Sequence, residues 1–157
     1  MWVPRVRCDR CRATHALFPA FVLVGRLDVV ETVGAVLEAV VEGPSGVRPA
    51  AASVQVPHTT AREWLRRFGS LASELAVAFA ALAAELGGAL ITPLPGVERY
   101  ALAALRDAWR AVLAFPGWLG VGRWRFVCAV TGGRVIATNM NSPYLIVGKR
   151  RFMPPIP

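Results

Sequence analysis

Acidic residues stop at Asp107. All ten aspartates and glutamates lie at or before that position, whereas Arg110, Arg123, Arg125, Arg134, Lys149, Arg150 and Arg151 follow it. The last third of the chain therefore has no carboxylate with which to hold a catalytic divalent metal, and the earlier carboxylates mostly stand singly. Histidine occurs only as His15 and His58, neither with an obvious nucleophile partner. A phosphate-binding glycine loop, a Gly-x-Ser-x-Gly elbow and a His-Glu-x-x-His pair are all missing. These absences exclude the common hydrolase and nucleotide-binding signatures, and the chain reads as a protein without a catalytic domain.

Cysteine is scarce too, limited to Cys8, Cys11 and Cys128. Long uncharged runs are few. "LAVAFAALAA", 75–84, is bounded by Glu74 and Glu85 and reaches about half of the ~20 apolar residues of a membrane span. "AVLAFPGWLGVG", 111–122, is broken by Pro116 and Gly117. No charged-then-apolar stretch with a cleavage site opens the chain, so a cytoplasmic location without a membrane partner is expected. Thiols stay reduced there, and a Cys-x-x-Cys pair points to metal or redox chemistry rather than to a disulfide.

What is present is alanine and arginine. The 157 residues (16.9 kDa) are 55% hydrophobic with a mean hydropathy of +0.46, much of it from alanine. Seventeen of the eighteen basic residues are arginine, the net charge is +8 and the pI is about 10.9. A cationic surface draws polyanions, because neutralised phosphates release condensed counterions. A GC-rich genome gives the same composition with no such partner. That alternative stays open.

Residues 1–26 read as an irregular or β-rich knuckle. Val29, Val30, Val33, Val36, Leu37, Val40 and Val41 recur at three- and four-residue steps and predict a helix over 28–42. Asp28 would cap it, Glu31 would complete a capping box, and Gly43-Pro44 would stop it. A short helix is expected from Pro49 to about Gln55, followed by a tight turn at "VPHT". A third helix is expected from Thr59 or Thr60, with Thr60-x-x-Glu63 as its capping box. Ala61, Trp64, Leu65 and Phe68 share its inner face, and Arg62, Arg66 and Arg67 point away. This order reads as a helix-turn-helix whose third helix is the recognition element; the plainer alternative is a helical core with a solvated arginine face.

Leu71, Leu75, Phe79, Leu82 and Leu86 predict a separate helix over 70–85, ended by Gly87-Gly88. Leu102, Leu105, Trp109 and Val112 predict another over about 97–115, and the two are expected to form an antiparallel hairpin across "ITPLPG". The stretch 121–138 reads two ways. Alternation in "RWRFVCAV" ahead of "TGGRV" gives a small β element, whereas Trp124, Val127 and Thr131 mark a helical face closed by Gly132. Helical surroundings favour the helix. "NMNSP", 139–143, reads as a turn. The expected organisation is a knuckle at 1–26, a helix-turn-helix at 27–69, a helical region at 70–147 and a basic, proline-rich tail at 148–157.

A structural zinc site needs four thiolate or imidazole ligands. Cys8 and Cys11 supply two and His15 a third, which leaves the set incomplete; Cys128 and His58 are distant in sequence with no supporting spacing. For DNA, the expected contacts are Arg62, Arg66 and Arg67, with His58, Thr59 and Thr60 at the helix N-terminus. Arg62 and Arg66, one turn apart, are placed to bridge guanine O6 and N7. Arg5, Arg7, Arg10 and Arg12 suit phosphate better than bases.

"WVPRVRCDRCRATHALFPAFVL", "VVETVGAVLEA" and "VPHTTAREWLRRF" together resemble a bacterial family classed as a domain of unknown function. Its short members pair a zinc-ribbon-like start with a helix-turn-helix and are similar to the DNA-binding front end of insertion-sequence transposases. The resemblance extends to "WRFVCAVTGGRVIATNMNSP", 124–143. It implies that a second Cys-x-x-Cys belongs upstream of Met1, so that the knuckle here is half of a zinc site, lost by truncation or by a start codon placed late. The expectation is thus a mainly α, double-stranded-DNA-binding protein of transposase-associated or regulatory kind, with zinc as a cofactor only if the ligand set is completed. The competing expectation is a protein-interaction module or mobile-element remnant whose helices at 70–115 form a homodimer.

Overall fold

The computed structural model describes residues 5–9, 12–16, 29–88, 95–133 and 135–136. Arg10, Cys11, Asp28, the 139–143 turn and the 148–157 tail lie outside these residues. Regular structure among the described residues is mainly α. A two-stranded antiparallel hairpin, β1 (Arg5–Arg7) and β2 (Thr14–Ala16), precedes five helices: α1 (Val30–Val41), α2 (Val47–Ser53), α3 (His58–Glu85), α4 (Val97–Val112) and α5 (Arg123–Val130). A 3-10 turn, Pro116–Trp118, links the last two.

Valine periodicity sets α1. Val30, Val33, Val36 and Leu37 have no exposed surface, and the helix starts at Val29 with no side-chain cap. The short helix α2 begins at Val47, two residues before Pro49, which still leaves that proline in the first turn, where its missing N–H goes unused. Val54 and Gln55 close α2 against the Ala51 and Ala52 carbonyls, and Val56 returns to Ala51. Gln55 takes φ +58 in this turn, a left-handed conformation that costs an L-residue about 1–2 kcal/mol.

The helix expected to stop at Phe68 and the one expected to start at Ser70 are one 28-residue helix. The boundary placed between 69 and 70 therefore falls inside α3. Glycine in a helix interior costs about 1 kcal/mol relative to alanine. Phe68, Ala72, Leu75, Ala76, Phe79, Leu82 and Ala83 continue one buried stripe across it, and each large apolar side chain buried is worth about 1.5–3 kcal/mol. Packing wins. The joined helix is long and apolar enough to cross a membrane by length and composition, and 44% of its most apolar window is buried within the protein.

The expected antiparallel hairpin is also corrected. The pairing of α3 with α4 is the most extensive contact between described elements. A Cβ built on Gly69 would lie 3.3 Å from Glu98 Oε1, near the start of α4, and one on Gly88 would lie 3.3 Å from the Ala111 Cβ, near its end. The two helices therefore run in the same direction. Residues 89–96, at about 3.3 Å each, have a reach of about 26 Å, enough to return along the roughly 24 Å length of the 16-residue α4. A proline- and glycine-containing joint of that length does not have to be a tight turn.

At 121–138 the helical alternative is the one observed, and the small β element is absent from the described part of the stretch. Trp124, Phe126, Val127 and Cys128 are buried along α5. The Thr131 hydroxyl donates to the Val127 carbonyl at 2.7 Å, and Gly132 at φ +61 ends the helix. Phe126 lies 5.4 Å from the Trp118 ring, edge-on, and 6.2 Å from the Phe79 ring. It thereby ties α5 to the 3-10 turn and to α3.

Candidate nucleic-acid interface

Helices α1, α2 and α3 pack on one another. Trp64 and Phe68 are fully buried and fix the rotation of α3. Pro57, at φ −58 and ψ 136, sits immediately before the helix; its ring favours that φ and removes a donor the helix does not need. His58 is thus the first residue of α3, and Thr59, Arg62 and Arg66 are exposed with it. His58, Arg62 and Arg66 follow one another at four-residue steps and share one ridge of the helix. Thr60 is half-buried.

The expected capping box is not formed. No side chain caps α3, and Glu63 faces down the helix instead. Its Oε2 accepts from Arg66 Nε at 2.8 Å, and its Oε1 accepts from Arg66 Nη2 at 2.7 Å and Arg67 Nε at 2.5 Å. These spacings, i to i+3 and i+4, are those at which helical side chains meet. Arg67 does not point away as expected. Its side chain is 16% exposed, and its Nη1 is buried with no partner among the described residues. Its guanidinium is held along the helix by Glu63 and is not projected into solvent.

The hydrogen bonds from Arg66 and then Arg67 hold the Glu63 carboxyl down from its ordinary 4.5 to about 2. Because the folded value is lowered, this contribution to stability is fully present above about pH 4.5 and fades as pH falls from there toward 2. A carboxyl-carbon NMR titration is expected to place the Glu63 midpoint near 2; a midpoint near 4.5 would mean that the arginine cluster does not form in solution.

Elsewhere in the helical body most of the described arginines have a partner within the molecule. Arg106 pairs with Glu42, Arg110 with Asp107, Arg123 with Glu38 and Arg125 with Glu31. Arg99 donates to the Val41 carbonyl. The described arginines beyond Asp107 are therefore paired, Arg123 and Arg125 with acids of α1 and Arg110 with Asp107. Among the described residues, the arginines with neither a carboxylate nor a carbonyl partner are Arg48 on α2, Arg62 on α3, and Arg5, Arg7 and Arg12 on the hairpin. Arg48 is exposed and went unnoticed in the sequence, because a lone arginine on a seven-residue helix gives no periodic signal.

The hairpin pairs Arg7 with Thr14 and Arg5 with Ala16. Arg5 and Arg7, two residues apart, lie on the same face of the ribbon. Cys8 donates its N–H to Ala13 and accepts from Arg12, whose φ is +59. Cys8 thus follows directly on β1 and is tied by backbone bonds to Arg12 and Ala13. Val6 pairs with His15 in the strand register. Among the described residues no group of three or more His, Cys, Asp or Glu side chains could hold a metal ion. The third cysteine, Cys128, lies on α5. It is 2% exposed, and burial first, then the charge of Glu31, pushes its thiol up to about 11. Iodoacetamide at pH 8 is expected to leave Cys128 unmodified in the native protein and to alkylate it after denaturation, as read by peptide mass spectrometry; native alkylation at the rate of a small thiol would contradict its burial.

No family model, curated protein or solved structure matches the chain.

Proposed function

We propose that this chain is a cytoplasmic DNA-binding protein of transposase-associated or regulatory kind, acting without a catalytic domain, in which α2, the turn at 54–57 and the first half of α3 form a helix-turn-helix. One observation carries the reading. Of the described arginines in the helical body, the two left without an acceptor, Arg48 and Arg62, both belong to this unit, one on each of its helices. A guanidinium with no internal partner gives up nothing when it meets phosphate, whereas a paired one must first break its ion pair.

His58 and Thr59 occupy the end of the recognition helix that contacts base edges in such units, and Arg62, one turn further on, is placed for phosphate. The uncapped N-terminus of α3 adds unpaired N–H groups and a partial positive charge on the same side. The resemblance carried by "VPHTTAREWLRRF" supports the same assignment. Arg5, Arg7 and Arg12 on the hairpin add sequence-independent phosphate contacts. Zinc is not needed for this reading.

Fluorescence anisotropy with a labelled random-sequence duplex tests it. Wild type is expected to bind with a log K that falls linearly with log salt, and Arg48→Ala/Arg62→Ala to flatten that slope by about two units. Salt-independent binding, no binding at low salt, or an unchanged slope in the double variant would each refute it. A homodimer is a second proposal, favoured by Val77 on α3 and Leu119 after the 3-10 turn, 67% and 68% exposed. Sedimentation showing only monomer up to 100-fold above the DNA dissociation constant would reject it.

A further inference from the structure

We propose that Glu63 is a positioning residue for base recognition: by gripping Arg66 side-on it sets that guanidinium to read a single guanine, and by taking Arg67 it keeps the helix from binding every sequence alike. The inference rests on the reading of α3 as the DNA-facing helix.

The chemistry follows from which N–H groups are used. A guanidinium has five N–H donors in a rigid plane. Glu63 takes two of Arg66's, one from Nε and one from Nη2. Left over are both N–H of Nη1 and the second of Nη2, which form the end-on fork. That fork is the pair of donors that matches guanine O6 and N7. Arg66's side chain is 66% exposed, so the fork is accessible. Without a carboxylate, a surface arginine must order its rotors when it binds; here the fork with Glu63 orders them in the free protein. Arg62 and Arg48 have no such support and suit the less directional phosphate.

The same carboxylate limits unspecific attraction. It holds Arg67 Nε at 2.5 Å, on a side chain only 16% exposed. Along 62–67, three arginines against one glutamate leave a formal net charge of +2. Glu63 stays ionised at every pH at which DNA is bound, since its proton is lost near 2. A phosphate placed beside it, with its full charge, is therefore repelled more strongly than the uncharged O6 and N7 of a guanine edge.

The test uses the full chain and selection from a duplex library with a random centre. Wild type, Glu63→Gln, Arg66→Ala, Arg66→Lys and Glu63→Gln/Arg66→Ala are compared on the selected duplex and on that duplex with each guanine replaced in turn by 7-deazaguanine, which lacks N7. Wild type is expected to lose about tenfold or more in affinity at one guanine. Glu63→Gln should lose most of that discrimination while binding random duplex as tightly as wild type or more tightly. Arg66→Lys, which keeps the charge and loses the fork, should behave as Arg66→Ala at that guanine, and the double variant should show no further loss there. Retained discrimination in Glu63→Gln, or a guanine preference untouched by Arg66→Ala, overturns the proposal. If wild type binds random duplex with salt dependence but selects no site, the proposal fails and the DNA reading stands. If it binds no duplex at all, both fail.

Discussion

Replacing Phe126 by alanine is expected to cost about 3–5 kcal/mol of stability. The ring is fully buried, edge-on to Trp118 at 5.4 Å and tilted against Phe79 at 6.2 Å. Removing it takes away the burial of the ring, opens a cavity and deletes two aromatic contacts, each of which adds about 0.5–1.5 kcal/mol beyond area. The site has little means of collapse, because α3 is held by α4 on one side and the Trp118 indole by its own burial. At this chain length the loss corresponds to a midpoint about 6–20 °C lower in thermal denaturation. Phe126→Leu should recover more than half of it. A loss below about 1 kcal/mol for alanine would show that Phe126 does not join the C-terminal helix to the body.

Gly34→Ala should destabilise by about 1–3 kcal/mol, although alanine is the better helix former by about 1 kcal/mol. A Cβ at position 34 would lie 2.1 Å from Trp124 Cε2 and Nε1, well inside contact distance. The indole cannot simply step aside. Its N–H donates to Glu38 at 2.5 Å, its neighbour Arg123 pairs with the same carboxylate, and Arg125 pairs with Glu31. Glycine is therefore required here by close approach and not by its own backbone angles. The control is a double-mutant cycle. In a Trp124→Ala background the same Gly34→Ala change should be neutral or stabilising, as measured by urea denaturation. Equal losses in both backgrounds would mean that the clash is not the cause.

The features legible in the sequence are those written at short range. Valines at helical spacing marked α1, and Trp124, Val127, Thr131 and Gly132 marked the face and end of α5. The tight turn read at "VPHT" placed the start of α3 at Thr59 or Thr60, within two residues of His58. Two other local signals were misread because each has a competing use. Gly69-Ser70 looks like a break, but its cost is small against the stripe from Phe68 to Ala83. Glu63 three residues after Thr60 looks like a capping box, but arginines at i+3 and i+4 offer a carboxylate charged donors in place of backbone N–H.

The remainder was not local. Glu31 and Glu38 meet Arg125 and Arg123 across 94 and 85 positions, and no periodicity encodes such a pairing. The same is true of the direction of α4 relative to α3, which depends on how far residues 89–96 can reach rather than on what they are. Charge was the most misleading signal. The surplus of arginine beyond Asp107 looked like one cationic surface, and folding pairs Arg110, Arg123 and Arg125 with carboxylates. Among the described residues of the helical body, the arginines left unpaired are Arg48 on α2 and Arg62 near the start of α3.

That placement can be tested by a two-dimensional NMR titration of the full chain with a short duplex at low salt. Chemical-shift changes are expected to concentrate at Arg48, His58, Thr59, Arg62 and Arg66, with hairpin residues Arg5 to Arg7 following and with α4 and α5 unmoved. Shifts centred on α4 or α5, or no shifts under conditions where the protein remains folded, would contradict it.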